Sequence, residues 1–522
     1  MAAGKQTGNT DRMTWGQVWT LTVSCAAVAL VVAAMAALNT ALADIARDTG
    51  ATQSQLTWIV DGYTLALACL LLPSGALGDR YGRRGVLIVG LLLFGLAAAS
   101  PIVLDTPGWI IAARAVAGVG AAFVMPATLS ILTASFPAAQ RAKAVGIWSG
   151  VAGSGGIAGL IGSGLLLEKW SWHAIFIGLA AVSAALLVLA FTIPSSRDEH
   201  PYTFDLRGAV LSAGAIGLFV LGIIEAPQRG WLDPFVLAAI IGGLAAGAVF
   251  AVVETRTEHP LLDVRLFGNR SFGVGATSLT LQFLATFGLF FLIVQHLQLV
   301  LGYSPLQSAL ALAPIAVVVL ALSMAAPWLI PLLGLRVLTF TGLAVLGVSL
   351  ALLGQLDADS SYRDVAVPLV IAAVGLGLCT APATTAIVQN TPTAKQGVAS
   401  AVNDATREIG AAIGVALAGS VLAAGYGRHI QPAVDAVPAP AKQPVADSLA
   451  AALEVSKLAG PQGQQLAEFA KESFLQGMQE ASMVLAGVML VTAVVLGAWA
   501  PGGRGIAALT EEPGTESMAD VD

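Results

Sequence analysis

The sequence predicts an all-α membrane protein of fourteen transmembrane helices, arranged as two six-helix bundles with two linker helices between them. Three observations predict it. Of the 522 residues, 57% are hydrophobic and only 11% charged, against about 25% charged in a soluble domain. A globule in water cannot cover itself with so little polar surface. The apolar residues also fall in blocks of roughly 20, the length needed to cross a hydrocarbon layer. Finally, two polar segments, Ser195 to Arg207 and Glu254 to Arg270, divide the blocks into six, two and six.

The blocks lie near 16–39, 54–77, 86–104, 108–132, 143–167, 172–193, 208–225, 234–253, 272–300, 305–329, 336–355, 365–388, 398–424 and 481–499. The first, from about Val18 to Leu38, is longer than the roughly 7–15 residue core of a cleaved signal, so it is expected to stay as span 1. Expected organisation is an N-terminal bundle over 1–194, two inserted spans with flanking linkers over 195–270, and a C-terminal bundle over 271–500. Within the last, residues 425–480 form a long loop with Pro-rich sequence and a partly amphipathic stretch from Asp447 to Gly477, either a lid or a surface decoration. Residues 501–522 are acidic, lack an apolar period, and are expected to be disordered.

Basic residues set the orientation. With the N-terminus inside, the inner segments carry 15 Lys or Arg and the outer loops 8, four of which sit in the long loop 425–480. Long loops weigh little in this rule, so both termini are expected in the cytoplasm. The excess of Arg (18) over Lys (7), with abundant Ala and Gly, hints at a GC-rich bacterial genome.

Several function classes are disfavoured. A net charge of −6 without basic clusters gives no support to nucleic-acid binding. Cys25, Cys69 and Cys379 lie inside apolar blocks with neither disulfide nor metal-ligand spacing, and read as small buried side chains. The chain carries no G-x-x-x-x-G-K-[ST], H-E-x-x-H or G-x-S-x-G motif, so ATP hydrolysis, metalloprotease and lipase chemistry are unsupported. No cofactor, no metal and no enzyme activity are expected.

The most specific segment is Gly75-Ala76-Leu77-Gly78-Asp79-Arg80-Tyr81-Gly82-Arg83-Arg84, between spans 2 and 3. Gly82 allows a tight turn. Arg80, Arg83 and Arg84 are suited to an anionic inner leaflet. Asp79 can pair with an arginine or sit at a helix N-terminus. Span 13 begins at the same face near Gly397, so Asp79 is expected to meet that helix start or a neighbouring arginine. The alternative is a plain positively charged turn.

This segment resembles the span 2–3 signature of the major facilitator superfamily. Trp58 to Tyr63, Arg114 to Gly118, Phe204 to Gly208, Glu225-Ala226-Pro227 with Gly230-Trp231, His259 to Leu262 with Leu266-Phe267, Gln298 to Pro305 and Arg407 to Ser420 resemble its fourteen-span drug:proton antiporters of the QacA/EmrB type. The resemblance implies the major facilitator fold. It also implies proton-coupled export of amphipathic small molecules (drugs, antibiotics, dyes) across a bacterial inner membrane by alternating access, with the substrate and protons as partners. A monomer is the expectation, with the oligomeric state left open. Alternatives are transport of a lipid, siderophore or metabolite, and a receptor that kept the fold without transporting. Ala34 stands where such exporters often carry Asp, Ala117 where they carry Gln, Leu160 follows Gly159 in place of Pro, and Ser163 replaces Gly. A preference for monovalent or divalent cations is therefore not implied.

Span 5 carries Gly146, Gly150, Ser154, Ala158 and Gly162 at intervals of four, a small-residue stripe that lets another helix approach. It reads equally as a sliding seal between bundles or as static packing. Ionisable residues at membrane depth are costly and each is a functional candidate. Asp61 lies about 10 Å into span 2 and Arg114 about 9 Å into span 4, at 1.5 Å per residue. Matching depth predicts that they face each other, as a proton carrier tuned by an arginine or as a static ion pair, with Thr57 and Thr64 on the Asp61 face. In span 13, Glu408 lies about 15 Å deep, near the midplane. It is expected to attract a cationic substrate or carry a second proton, or else to pair with Arg407. Asp404 is expected nearer the inner mouth, in contact with water. Thr57, Thr64, Gln282, Phe283, Phe287, Gln295, Asp404, Arg407 and Glu408 are cavity candidates, together with Phe290 and Phe291, with lipid-facing packing the alternative for the span 9 aromatics. His296 is expected at the interface. With no ATP site, an ion gradient is the expected energy source, and one proton crossing about 100 mV supplies roughly 2.3 kcal/mol.

Overall fold

The computed structural model describes residues 13–196, 204–458 and 460–502, and every regular element among them is helical. Lys5, Arg12, Arg197 and Arg504, used above for orientation, and the expected tail from 503 lie outside the described residues.

The first group of helices is α1 (Trp15–Ala37), the short α2 (Leu42–Thr49), α3 (Gln53–Tyr81), α4 (Arg83–Ala99), α5 (Pro107–Ser135), α6 (Ala138–Leu167) and α7 (His173–Ala190). Thr14 with Gln17 and Thr52 with Gln55 form capping boxes that start α1 and α3. A hairpin follows, α8 (Leu206–Arg229) and α9 (Pro234–Arg256). It turns at Gly230, whose φ of 95° suits glycine, and restarts where Asp233 caps α9. The last group is α10 (Arg270–Gln295), α11 (Pro305–Leu353), α12 (Tyr362–Gln389), α13 (Gln396–Ala436), α14 (Ala439–Asp447), α15 (Leu449–Leu458) and α16 (Pro461–Trp499).

Among the described residues 13 helices are long and apolar enough to cross a membrane. The 49-residue α11 supplies two of the fourteen crossings, because Gly334 breaks it with φ 74° and ψ 165°. Only glycine takes that conformation readily, so spans 10 and 11 join without a loop. Helices α1 and α3 to α7 pack around one core and α10 to α13 with α16 around another. Large apolar side chains such as Leu96, Val188, Ile241, Val317 and Val494 are left exposed on the outside, as a lipid-facing belt requires.

Two helices overrun the expected spans. α13 runs for 41 residues and α16 for 39, each about 60 Å long against a hydrocarbon core of about 30 Å. The excess lies in the 425–480 segment. It is rooted in the second core through Tyr426, Ile430, Val445, Leu449 and Phe474. The Tyr426 hydroxyl donates to the Val445 carbonyl at 2.9 Å, and Lys471 Nζ to the Val300 carbonyl at 3.2 Å. The segment is a helical cap fixed to the second bundle, and its Pro-rich stretch is absorbed into α13 and α14.

The bundles meet along two seams, α6 against α11 and α3 with α5 against α13. The α8–α9 hairpin lies along the second seam and touches both sides of it. Gln228 Nε2 donates to Thr57 Oγ1 of α3 at 3.4 Å, and Trp231 Nε1 donates to Ser420 Oγ of α13 at 2.8 Å. The two ends of the molecule are distinguished below as the Asp79 face and the Trp231 face.

Candidate functional site

At the Asp79 face the seam is shut by a buried ion pair that doubles as a helix cap. α3 ends at Gly82 (φ 106°) and α4 starts at once, which brings Arg83 back onto Asp79. Arg83 Nη2 and Nε reach Asp79 Oδ1 at 2.8 and 3.1 Å. The same carboxylate accepts from the backbone N–H groups of Gly397 (2.8 Å) and Val398 (3.2 Å), at the start of α13. An anion there satisfies orphan helix donors and sits at the positive end of the helix dipole. The expected alternatives, helix N-terminus or arginine, occur together. Close approach depends on two glycines. A β-carbon on Gly75 would lie 2.4 Å from the Gly397 carbonyl oxygen, and one on Gly397 would lie 2.3 Å from that of Gly75.

The expected anchoring of this turn in a lipid leaflet is corrected for two of its arginines. Arg83 is 3% exposed and bonded to Asp79, and Arg84 Nη1 donates to the Ile193 carbonyl at 3.1 Å. Arg80 lies against the Tyr81 ring, 5.2 Å from its centroid.

The other seam uses part of the span 5 stripe. β-Carbons on Gly146 and Gly150 would meet the Ser323 carbonyl oxygen at 2.5 Å and the Leu320 side chain at 2.8 Å. Ser154 Oγ donates to the Ala316 carbonyl of α11 at 3.1 Å. Ala158 and Gly162 are exposed instead, and nothing lies within 4 Å of a Gly162 β-carbon. A four-residue step turns about 40° past a full helical circle, so five positions sweep off the contact line. Gly155 and Gly159, outside the stripe, pack on Val32 and Ala33 of α1.

Asp61 and Arg114 do not pair. Arg114, 2% exposed, donates from Nε to the Ile59 carbonyl at 3.0 Å and lies 4.1 Å from the Tyr63 ring centroid. Ile59 and Tyr63 are one turn apart on the face of α3 that meets α5. Asp61, midway between them in sequence, is about 200° around the helix. Depth matched, and the face did not. The helix that meets the Asp61 face is α8, which carries Glu225, held by Arg229 at 2.5 Å. Thr57 shares this face and takes the Gln228 hydrogen bond, and Thr64, one turn beyond Asp61 in sequence, is half-buried.

The densest polar group is on α13. Asn403, Asp404, Arg407 and Glu408 are all at most 4% exposed. Asp404 is therefore buried and not solvated at a mouth. Asn403 Nδ2 donates to Asp404 Oδ1 at 2.9 Å, and Thr384 Oγ1 donates to Asn403 Oδ1 at 2.8 Å. Arg407 Nη2 donates to Thr384 at 3.2 Å, and its guanidinium lies 5.1 Å from the ring centroids of both Trp148 and Phe283. Among the described residues no carboxylate comes within ion-pair distance of Arg407. Asp404 Oδ2, Arg407 Nε and Glu408 Oε2 are buried without hydrogen-bond partners. The seam at mid-depth is therefore lined by the Arg407 guanidinium of α13 and by aromatic rings from both bundles.

Phe283, Phe287 and Phe290 make a half-buried ladder up one face of α10, with successive centroids 6.0 and 6.2 Å apart. Gln282 does not join it. That side chain is fully buried, donates to Ser278 at 2.7 Å and accepts from Thr380 at 2.8 Å, which spends it on α10–α12 packing. Gln295 bonds back to the Phe291 carbonyl at 3.0 Å. His296 is buried at 0% exposure, not interfacial, in a π-helical turn over His296–Val300. Sequence reasoning missed Trp148, Thr384 and Asn403, and gave no site role to Tyr63 and Glu225 although both lie in segments it quoted. A lone tryptophan in a span of small residues was the available signal for Trp148.

Comparison with known proteins agrees with this fold. The family model described as Major Facilitator Superfamily matches residues 24–415. The multidrug resistance protein Stp of Mycobacterium tuberculosis is 33% identical over 414 residues, 78% of this chain and 76% of that protein. The multidrug efflux pump LfrA of Mycolicibacterium smegmatis is 32% identical over 481 residues, 91% of this chain and 95% of LfrA. The crystal structure of the human organic anion transporter MFSD10 matches with a TM-score of 0.62 at 14% identity, covering 92% of this chain and all of that one, a likeness of fold alone. With two helical bundles, an Asp79 cap across their seam and a family match over most of its length, this chain belongs to the major facilitator superfamily.

Proposed function

We propose that this transporter exports amphipathic small molecules from bacterial cells in exchange for protons. The Asp79 face is cytoplasmic in this reading, as the basic loops require, and the structure then represents a state closed to the cytoplasm. The observation that carries the reading is the α13 cluster. Arg407 is held between Trp148 and Phe283 while Asp404 and Glu408 keep unpartnered oxygens beside it. A cationic, partly aromatic substrate offers those oxygens charge and those rings a face, and a proton offers the oxygens the same neutralisation. Only one can be held at a time, which is the requirement for exchange. The Phe283–Phe287–Phe290 ladder adds apolar surface of the kind small-molecule sites use. The names of Stp and LfrA, multidrug resistance and multidrug efflux, favour the same substrate class.

The test is proton release on adding a lipophilic dye cation such as ethidium to proteoliposomes. Wild type is expected to release protons on dye binding and to move dye against its gradient when the proton gradient is imposed. Glu408→Gln is expected to bind dye without releasing the corresponding proton. If wild type moves no protons with any member of a panel of lipophilic cations, neutral drugs and anions, the proposal fails.

A further inference from the structure

The base of the α8–α9 hairpin, at the Asp79 face, holds a pair of carboxylates that none of the above uses. Asp205 caps α8, its Oδ1 accepting from Gly208 N at 2.8 Å. Glu254, two residues before the end of α9 and 2% exposed, accepts from Leu262 N at 2.9 Å through Oε2. The remaining oxygens, Asp205 Oδ2 and Glu254 Oε1, are both buried without a donor. They converge on one point, lying 2.5 and 2.2 Å from where a β-carbon on Gly208 would sit. Two acceptor-only oxygens so placed cannot satisfy each other. A buried carboxylate pair is stable only when something positive lies between its members, and in a site too small for a side chain that is a proton.

We propose that Asp205 and Glu254 share one proton, and that this shared proton is a site where pH sets how tightly the Asp79 face closes. The connection is short. Glu254 holds the α9–α10 linker at Leu262, and two residues earlier in that linker the Pro260 carbonyl accepts from Lys395 Nζ at 3.0 Å. Lys395 is the residue before α13, two before the Gly397 that Asp79 caps. Losing the proton would leave two anions in contact, push the start of α8 off the end of α9, and release the linker from the start of α13. Among the described residues the charged groups on the elements that meet here are Asp79 and Arg80 on α3, Arg207 on α8, Arg256 on α9, Glu258, His259, Asp263 and Arg265 in the linker, Arg270 at the start of α10, and Lys395. Arg265 Nη2 is occupied by the Thr255 carbonyl at 3.1 Å, and Asp263 caps its own turn. The field of Lys395 reaches Glu254, but its ammonium is spent on Pro260.

The test uses purified protein in nanodiscs, both faces accessible, with Cys25, Cys69 and Cys379 replaced and Ser400→Cys added. Ser400 is fully buried one turn into α13. The maleimide rate there, divided by that of an exposed control cysteine to remove the thiol's own pH dependence, is expected to rise with pH. Glu254→Gln, whose amide can donate to Asp205 as the shared proton does, is expected to abolish that rise and hold the low-pH rate. Asp205→Asn is the second variant should the first not fold. Infrared titration of the wild type is expected to lose a carboxylic-acid carbonyl band over the same pH range, a component missing from either variant. A normalised rate that does not change with pH overturns the proposal. So does a rise that survives in the variants, or one that follows added sodium at fixed pH, which would mark a metal-cation site.

Discussion

Arg407 of the second bundle lies over the indole of Trp148 of the first, 5.1 Å from its ring centroid. Trp148 is itself fixed, since Nε1 donates to Thr128 Oγ1 at 3.0 Å and the side chain is fully buried. The contact therefore joins bundles that alternating access must move apart. A buried cation–π pair contributes up to about 2 kcal/mol, enough to bias two conformations without locking either.

That relationship separates charge from shape. Arg407→Ala leaves Asp404 and Glu408 with no adjacent cation and is expected to abolish export. Arg407→Lys keeps the charge but loses the planar face and the fork that reaches Thr384, and is expected to export at a reduced rate. Trp148→Phe weakens the cross-bundle attraction by about 1 kcal/mol, a shift of roughly fivefold in the balance of states, with substrate affinity changed by less. Dye efflux rates with binding measured separately distinguish the three. Equal activity of Arg407→Ala and Arg407→Lys would show that charge is irrelevant there.

The closed face has an equally local dependence. Gly75→Ala places a methyl 2.4 Å from a backbone oxygen of α13, and a backbone cannot yield as a side chain can. Closure should be blocked, with export lost and Ser400→Cys labelled faster. Gly162→Ala, which meets nothing within 4 Å, is expected to be silent although both glycines belong to segments singled out by sequence. Asp79→Asn acts in the same direction as Gly75→Ala. It removes the charge behind the bonds to Arg83, Gly397 and Val398, at a cost of about 1.5–3 kcal/mol for a charged hydrogen bond. Unchanged labelling in both Gly75→Ala and Asp79→Asn would contradict the closure model.

The sequence carried the crossings and the Asp79 turn because both depend on local information. Apolar block length sets a span, and Gly82 with its arginines sets a turn. It carried the break at Gly334 only as a gap between 329 and 336, because a left-handed glycine needs no polar loop to announce it. What it could not carry was azimuth. Asp61 and Arg114 were placed at one depth by counting residues, yet Ile59 and Tyr63 occupy the face that meets α5. The same limitation misplaced Gln282, which one turn of α10 directs at Ser278 and Thr380. The polar stripe of Thr57, Asp61 and Thr64 marks one face of α3, but periodicity does not say which neighbour that face meets.

Azimuth also changes what the first bundle's charges should do. Arg114 satisfies the Ile59 carbonyl and covers the Tyr63 ring, so Arg114→Ala is expected to lower thermal stability by breaking buried contacts while leaving the pH profile of transport in place. The helix packed on the Asp61 face is α8, and its acid there is Glu225, so Glu225→Gln is the variant expected to move that profile. Asp61→Asn, if Asp61 carries a coupling proton, should lose uphill export and keep downhill exchange, because the amide imitates the protonated acid but has no proton to give. The measurements are melting temperature in detergent and substrate-driven proton release across pH for each variant. A profile moved by Arg114→Ala and untouched by Glu225→Gln would restore the pairing that depth alone suggested. Full uphill export by Asp61→Asn would leave the α13 acids, Asp404 and Glu408, as the carriers.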